Sequence, residues 1–329
     1  MAFVRAIMLG YEKHGVDPAE ALRQAQITPA QLRRTDARIT AAQMETISGI
    51  AMRQLDDEAL GWFSRRLPWG SYGMLCRASI TSPNLGVALQ RWCRHHRLLT
   101  EDIALRLERR GEGAVYTIEE KRRFGAMREF CLVTSLRFMH GFACWAIDSR
   151  IPLRAAAFPF AAPPHAEVYP LLFPGPIRFD EAVCSLHFDA QYLDMPLRRD
   201  EAALRTMLQR ALPLTVLQYR RDRLLVQRLR ELLRSRAGEL HNAEDIAAAL
   251  HISTRTLHRQ LRDEGAALQA IKDEVRRDRA IELLRRTARP VKQIALAVGF
   301  DNEKSFARAF RQWTGTSPSA LRQSAAAPY

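Results

Sequence analysis

The sequence predicts a mixed α+β domain followed by an all-α domain with two helix-turn-helix units. Three observations lead there. Up to about residue 200 the apolar periodicity switches between helical and alternating, and beyond it is helical only. A segment around residue 247 is echoed forty-eight positions later in the same frame. The basic excess is concentrated toward the end: residues 225–329 hold 19 basic and 12 acidic residues, half of the chain's net +14.

The elements follow in order. Phe3, Ile7 and Tyr11 recur at helical spacing, and Asp17 and Pro18 supply the N-cap and first position of a second helix. Thr40 caps a third, with Met44, Ile47 and Ala51 on its inner side. A loop rich in Gly and aromatics (residues 68–73, PWGSYG) precedes a helix that Ser82 and Pro83 open and Leu85, Leu89 and Trp92 carry. Ile103, Leu105 and Leu107 then alternate, a turn falls between Gly111 and Gly113, and Val115, Tyr116 and Ile118 return as a β-hairpin. A long helix is expected over residues 124–147. Strand-like, proline-rich chain is expected over 151–188, with Phe158, Phe160, Phe179 and the alternation at 184–188.

Residues 1–200 are thus expected to form one domain, 201–223 a linker helix interrupted at Pro213, and 224–329 a second domain. Turns in the second domain are expected at Gly238, Gly265, Arg289-Pro290, Gly299 and Gly315, with a frayed tail after Leu321.

Composition narrows the function. With 329 residues, 47% hydrophobic and 26% charged, the chain suits two globular domains and excludes a disordered or fibrous protein. No apolar run approaches the ~18 residues of a membrane span, and the N-terminal segment lacks a small-residue cleavage site, so a cytoplasmic protein with no membrane partner is expected. Five scattered cysteines fit reduced, buried thiols. Residues 92–96 (WCRHH) are the densest run of metal-ligand types. Adjacent histidines on a helix diverge, so a buried Cys beside two surface or satisfied histidines is expected, with no metal and no cofactor. Asp56-Asp57 and Glu119-Glu120 read as solvated loop charges rather than catalytic pairs. No nucleophile elbow, phosphate loop, zinc-protease or dinucleotide motif occurs, and no catalysis is expected. A net charge of +14 instead points to a polyanionic partner.

The echo specifies which. Asp245 to Ile252 (DIAAALHI) returns as Gln293 to Phe300 (QIALAVGF). Each copy places a small Ala, at 247 and 295, where two helices must approach. A turn residue follows four positions later, His251 or Gly299, then an apolar plug and a second helix. This is the pattern of a helix-turn-helix, whose second helix enters the DNA major groove. In the first copy Ser253 is an N-cap and Leu257 and Leu261 face inward, leaving Arg255, His258, Arg259 and Arg262 outward, with Thr254 and Thr256 beside them. In the second, Phe306 and Phe310 face inward and Asn302, Glu303, Lys304, Ser305, Arg308 and Arg311 outward. Arg forks onto guanine, and Ser, Thr, Lys and Arg hold phosphates. A solvated amphipathic helix explains one such copy equally well, but two in register favour DNA.

Residues 294–318 (IALAVGFDNEKSFARAFRQWTGTSP) resemble the signature of AraC/XylS-type transcriptional regulators, and the resemblance covers the last hundred residues or so. It implies base reading by Arg255, His258, Arg259, Glu303, Lys304, Ser305 and Arg308. It also implies a long helix, about residues 267–286, that holds the two reading helices one DNA turn apart. His251 departs from the Gly common at that turn, although histidine tolerates a left-handed conformation better than most residues. Residues 68–73, 81–89 and 174–180 more loosely resemble the effector domain of the family's ornithine-utilisation-regulator branch, an arabinose-binding type of domain, from whose name no sugar specificity follows.

Double-stranded promoter DNA is accordingly the expected partner, with a small-molecule effector, a homodimer and RNA polymerase as further expected contacts. Trp69, Tyr72, Trp92 and Trp145 suit either an effector cavity or the core. Arg77, Arg94 and His95 suit an anionic effector by charge sign alone. Two readings of the N-terminal domain stay open, an effector-controlled regulator and a constitutive one in which the domain serves only dimerisation or protein contacts.

Overall fold

Thr40 shows how locally the first helices are encoded. Its Oγ1 accepts from Gln43 N at 3.1 Å while Gln43 Oε1 accepts from Thr40 N at 3.0 Å, a capping box that starts α4 (Ala41–Gln54). The computed structural model describes residues 1–34, 36–209, 224–236 and 242–326, and the chain divides into two units, Met1–Arg220 and Arg221–Tyr329.

In the first unit, α1 (Ala2–His14), α2 (Ala19–Gln24), α3 (Pro29–Arg33) and α4 are followed by α5 (Ser71–Ile80), α6 (Leu85–Leu99), the hairpin β1 (Ile103–Arg110) and β2 (Gly113–Glu120), and α7 (Arg128–Ala146). Then come β3 (Leu153–Ala157), the short α8 (Tyr169–Leu172), β4 (Ile177–Arg178), β5 (Cys184–Asp189) and α9 (Glu201–Gln209). The sheet runs β1-β2-β5-β3-β4, antiparallel except for the β3–β4 pair. The alternation seen in the sequence becomes rows across the strands: Leu105, Ile118 and Cys184 form one, and Leu107, Tyr116, Leu186 and Ala156 the next. α6 packs against β1 and α7 against β5. α1 approaches the loop after α4 so closely at Gly10 that a Cβ there would lie 2.3 Å from Leu60 O.

Several expectations are corrected. Ser71, Tyr72 and Gly73 are the first turn of α5, not loop, because Gly70 at φ 99° turns the chain just before them. Ser82 and Pro83 lie ahead of the α6 cap, which is Asn84, its Oδ1 accepting from Val87 N at 2.9 Å. The long helix begins at Arg128, since Gly125 at φ 57° confines residues Gly125–Met127 to a 3-10 turn. The stretch 151–188 is not all strand: α8 folds Tyr169 and Phe173 onto Phe158, with ring centroids 5.0 and 5.3 Å away. Nor is Asp57 a solvated loop charge. It is 1% exposed, and its carboxylate accepts from Ala59 N, Gly61 N and Leu67 N at 2.8–3.0 Å. Glu119 and Glu120 lie on β2, Glu120 paired with Arg128 at 2.6 Å.

The described part of the second unit is helical: α10 (Leu224–Ser235), α11 (Ala243–Ala249), α12 (Thr254–Asp263), α13 (Leu268–Arg286), α14 (Val291–Ala297), α15 (Glu303–Thr314) and α16 (Pro318–Ala326). It holds two cores. Val226, Leu229, Ile246, Leu257 and Leu261 close on Ile271 and Val275 of α13. Ile294, Phe306 and Phe310 close on Ala280, Leu283 and Leu284 of the same helix. The chain after Leu321 continues as α16 to Ala326. Pro213 and Gly238 lie outside the described residues.

Candidate nucleic-acid interface and ligand cavity

The two halves of the echo fold alike. Ile252 N donates to Ala247 O at 3.0 Å and His251 N to Ala248 O at 3.0 Å. Phe300 N donates to Ala295 O at 2.9 Å and Gly299 N to Leu296 O at 3.0 Å. Each pair is a Schellman closure, and the turn residues are left-handed, His251 at φ 55° and Gly299 at φ 81°. Ala247 and Ala295 are buried where the small side chain was expected. Ser253 Oγ accepts from Thr256 N at 3.1 Å and Asn302 Oδ1 from Ser305 N at 2.8 Å, so these two residues start α12 and α15. Leu257, Leu261, Phe306 and Phe310 face the cores, each 1% exposed or less.

That burial fixes the opposite face. Arg255, His258, Arg259 and Arg262 are exposed on α12, as are Glu303, Lys304, Ser305, Arg308 and Arg311 on α15, with Ser253 and Asn302 exposed at the caps. Thr254 and Thr256 are half-buried beside them. Among the described residues none of these Arg or Lys side chains has a carboxylate partner. On α13, by contrast, Arg277 pairs with Asp278 at 2.9 Å and Arg279 and Arg286 share Glu282 at 2.8 and 3.5 Å. Unpaired guanidinium groups on one face of each second helix are free to take phosphates and base edges.

The residues that hold these helices were not foreseen. Arg276 of α13 lies 5.2 Å over the Phe300 ring and donates to Gly299 O at 3.3 Å, fixing the second turn. Glu264, 7% exposed at the end of α12, accepts from Val226 N at 2.9 Å and Leu225 N at 3.2 Å, so it caps the start of α10. A lone glutamate after a helix carries no sequence signal for such a role.

In the first unit α4, α5, α7 and α9 surround a cavity of about 520 Å³. Trp69 and Tyr72 line it, together with Glu45, Arg53, Glu58, Trp62, Ser135, Phe138 and Leu208. The other effector candidates lie elsewhere. Trp92 is core, between Tyr72 and Phe142 at 6.3 and 4.9 Å. Trp145 is buried under Arg199, Arg77 pairs with Glu201 at 2.9 Å, and His95 sits half-buried on α6. Arg94 is exposed on α6, so the anionic preference read from Arg77, Arg94 and His95 does not describe this cavity. A second cavity, about 420 Å³, lies between α1, α4, α7 and α8 and is mostly apolar, with Arg5, Arg38, Arg137 and His165 on its wall.

Neither histidine of the pair is surface or satisfied as expected: His96 is buried, His95 half-buried, and among the described residues the Nδ1 of each is buried without a partner. Desolvation lowers the pKa of His96 to about 4. Among the described residues no cluster of His, Cys, Asp or Glu suits a metal ion, and no helix is long and apolar enough to cross a membrane.

Comparison with known proteins agrees with this architecture. The arabinose-binding N-terminal domain of AraC transcription regulators matches residues 15–197, and a helix-turn-helix domain matches residues 246–324. The ornithine utilization regulator of Pseudomonas aeruginosa is 27% identical over 324 residues, 98% of this chain and 96% of that protein. The regulator VqsM of the same organism is 37% identical over 100 residues, 30% of this chain and 31% of that protein. The crystal structure of the regulator CdpR, also from P. aeruginosa, covers 98% of both chains at 20% identity, with a TM-score of 0.35. With both domains matched in order over most of its length, this chain belongs to the AraC family of DNA-binding transcription regulators.

Proposed function

We propose that α12 and α15 read promoter DNA through Arg255, His258, Arg259, Arg262, Lys304, Ser305, Arg308 and Arg311, and that the first unit subjects this reading to a small-molecule effector. The unpaired, outward-facing cations on both second helices carry the first statement. Glu303 accepts from a cytosine amino group, and the caps Ser253 and Asn302, with Thr254 and Thr256, hold the backbone beside each helix start. Effector control is supported by the 520 Å³ cavity, whose aromatic walls and few polar groups suit a small organic ligand. The first unit also joins two copies into a homodimer, so that two second units engage paired half-sites and present the complex to RNA polymerase.

Replacing Arg259 or Arg308 by Ala is expected to cost ~1–3 kcal/mol at a cognate site and to relax preference at one base position. A selection from random DNA that returns the same motif for both variants removes these residues from the reading set. Effector control is checked by operator titrations of the full chain across a metabolite panel. A response to none of them favours the constitutive reading.

A further inference from the structure

The 520 Å³ cavity of this strongly basic protein has a buried acid, Glu58, in its wall. Its lining includes two acids, Glu45 and Glu58, and one base, Arg53. Glu58 is 8% exposed, with Oε1 accepting from Gly70 N at 2.8 Å and Oε2 from Tyr72 N at 2.7 Å. Backbone amides therefore hold the carboxylate in place, and among the described residues no basic side chain neutralises it. Asp56 and Asp57 precede it directly, and burial with their charges keeps its pKa above the usual carboxylate range. Around it stand four aromatic side chains, Trp62, Trp69, Tyr72 and Phe138. Trp69 already takes a positive group on its face, Arg53 Cζ at 5.7 Å from the centroid. Ring faces and a dehydrated, uncompensated carboxylate both favour a cation.

The fourth wall is α9. Leu208 and Gln209 close the cavity, and Leu208 lies against α5 so tightly that a Cβ on Gly73 would sit 3.3 Å from its Cδ1. At the other end Glu201 holds Arg77 at 2.9 Å. In sequence α9 is the last described element before α10.

We infer that this cavity takes a small organic amine, and that its occupancy fixes the end of α9. The inference rests on the effector-controlled reading above. The volume suits a ligand of amino-acid or amino-alcohol size with room to spare, inside the ~300–1,000 Å³ usual for small-molecule sites.

Four probes of matched length test it on the full chain by calorimetric titration: 5-aminopentanoate, 5-aminopentan-1-ol, pentanoate and pentane-1,5-diol. The two amines are expected to saturate, and the acid and the diol to bind at least tenfold more weakly. Trp69→Ala, at a half-exposed ring, and Glu58→Gln should each weaken the amines at least tenfold. Should Glu58→Gln fail to fold, Trp69→Ala alone decides. Backbone hydrogen exchange in residues 201–209 should slow when the amine is bound. Failure of both amines to saturate overturns the ligand assignment. So does equal binding by pentanoate or the diol, or amine affinity unchanged in Trp69→Ala, which places the site elsewhere. Unchanged exchange in α9 overturns the coupling. An amine that binds as described but leaves operator affinity untouched defeats effector control and leaves the ligand class standing. An anion that shifts operator affinity while the amines stay unbound does the reverse.

Discussion

At the scale of single residues, the turn of the first helix-turn-helix is held by a histidine where the second uses glycine. A non-glycine residue in the left-handed region costs roughly 1 kcal/mol or more, partly offset because glycine leaves a freer unfolded chain. His251→Gly is therefore expected to stabilise the second unit by up to about 1 kcal/mol with base preference unchanged, read as a shift in the urea midpoint. Gly299→Ala should destabilise it by ~1–2 kcal/mol, because φ is 81° and the added Cβ meets Arg276 Nη2 at 3.3 Å.

Buried histidines set a second expectation. Desolvation pulls His96 and His140 from 6.5 to about 4, Arg137 adding to the effect at His140. The unfolded chain then takes up these protons first. Stability is complete above about 6.5 and falls as pH drops toward about 4, by roughly 3 kcal/mol for each histidine. Denaturation of the first unit followed from pH 7 to 4 checks the sign, and a flat profile would contradict it.

At the scale of elements, α13 is the shared beam of the second unit: its first half completes one core and its second half the other. Leu257→Ala and Phe306→Ala should each cost ~2–5 kcal/mol by opening a cavity in their own core. Glu264 ties the end of α12 to the start of α10, so Glu264→Ala should cost ~1–3 kcal/mol by leaving two buried amides unpaired. Thermal denaturation measures both.

These elements also show what was legible in the sequence. Helices and strands with regular apolar spacing were readable, as were caps whose partner lies three residues away, such as Thr40 with Gln43. So was the outward face of each second helix, because the inward leucines and phenylalanines define it by subtraction. The cavity was not. Trp69 and Trp92 look alike in sequence, yet only the first lines it, because the distinction depends on packing between α4, α5, α7 and α9. Asp57 looked like surface charge because its carboxylate is held by backbone amides up to ten residues away, which no side-chain pattern records.

At the scale of the whole molecule, half of the net positive charge lies in residues 225–329, and among the described residues the cations on the outward faces of α12 and α15 have no carboxylate partner. Operator affinity should therefore fall steeply with salt as fewer counterions are released on binding. An affinity that stays flat from low to physiological salt would contradict phosphate anchoring. The two cores of the second unit further predict that it folds without the first.

The central proposal is that one chain carries a complete DNA reader in residues 224–329 while the first unit pairs and regulates it. Its most direct test is a binding titration of that fragment and of the full chain on single and paired half-sites. The fragment should fold, bind a single half-site as a monomer and gain little from a second. The full chain should bind paired half-sites far more tightly, because dimerisation makes the second contact intramolecular. A fragment that is unfolded, or a full chain that treats single and paired sites alike, would contradict the account.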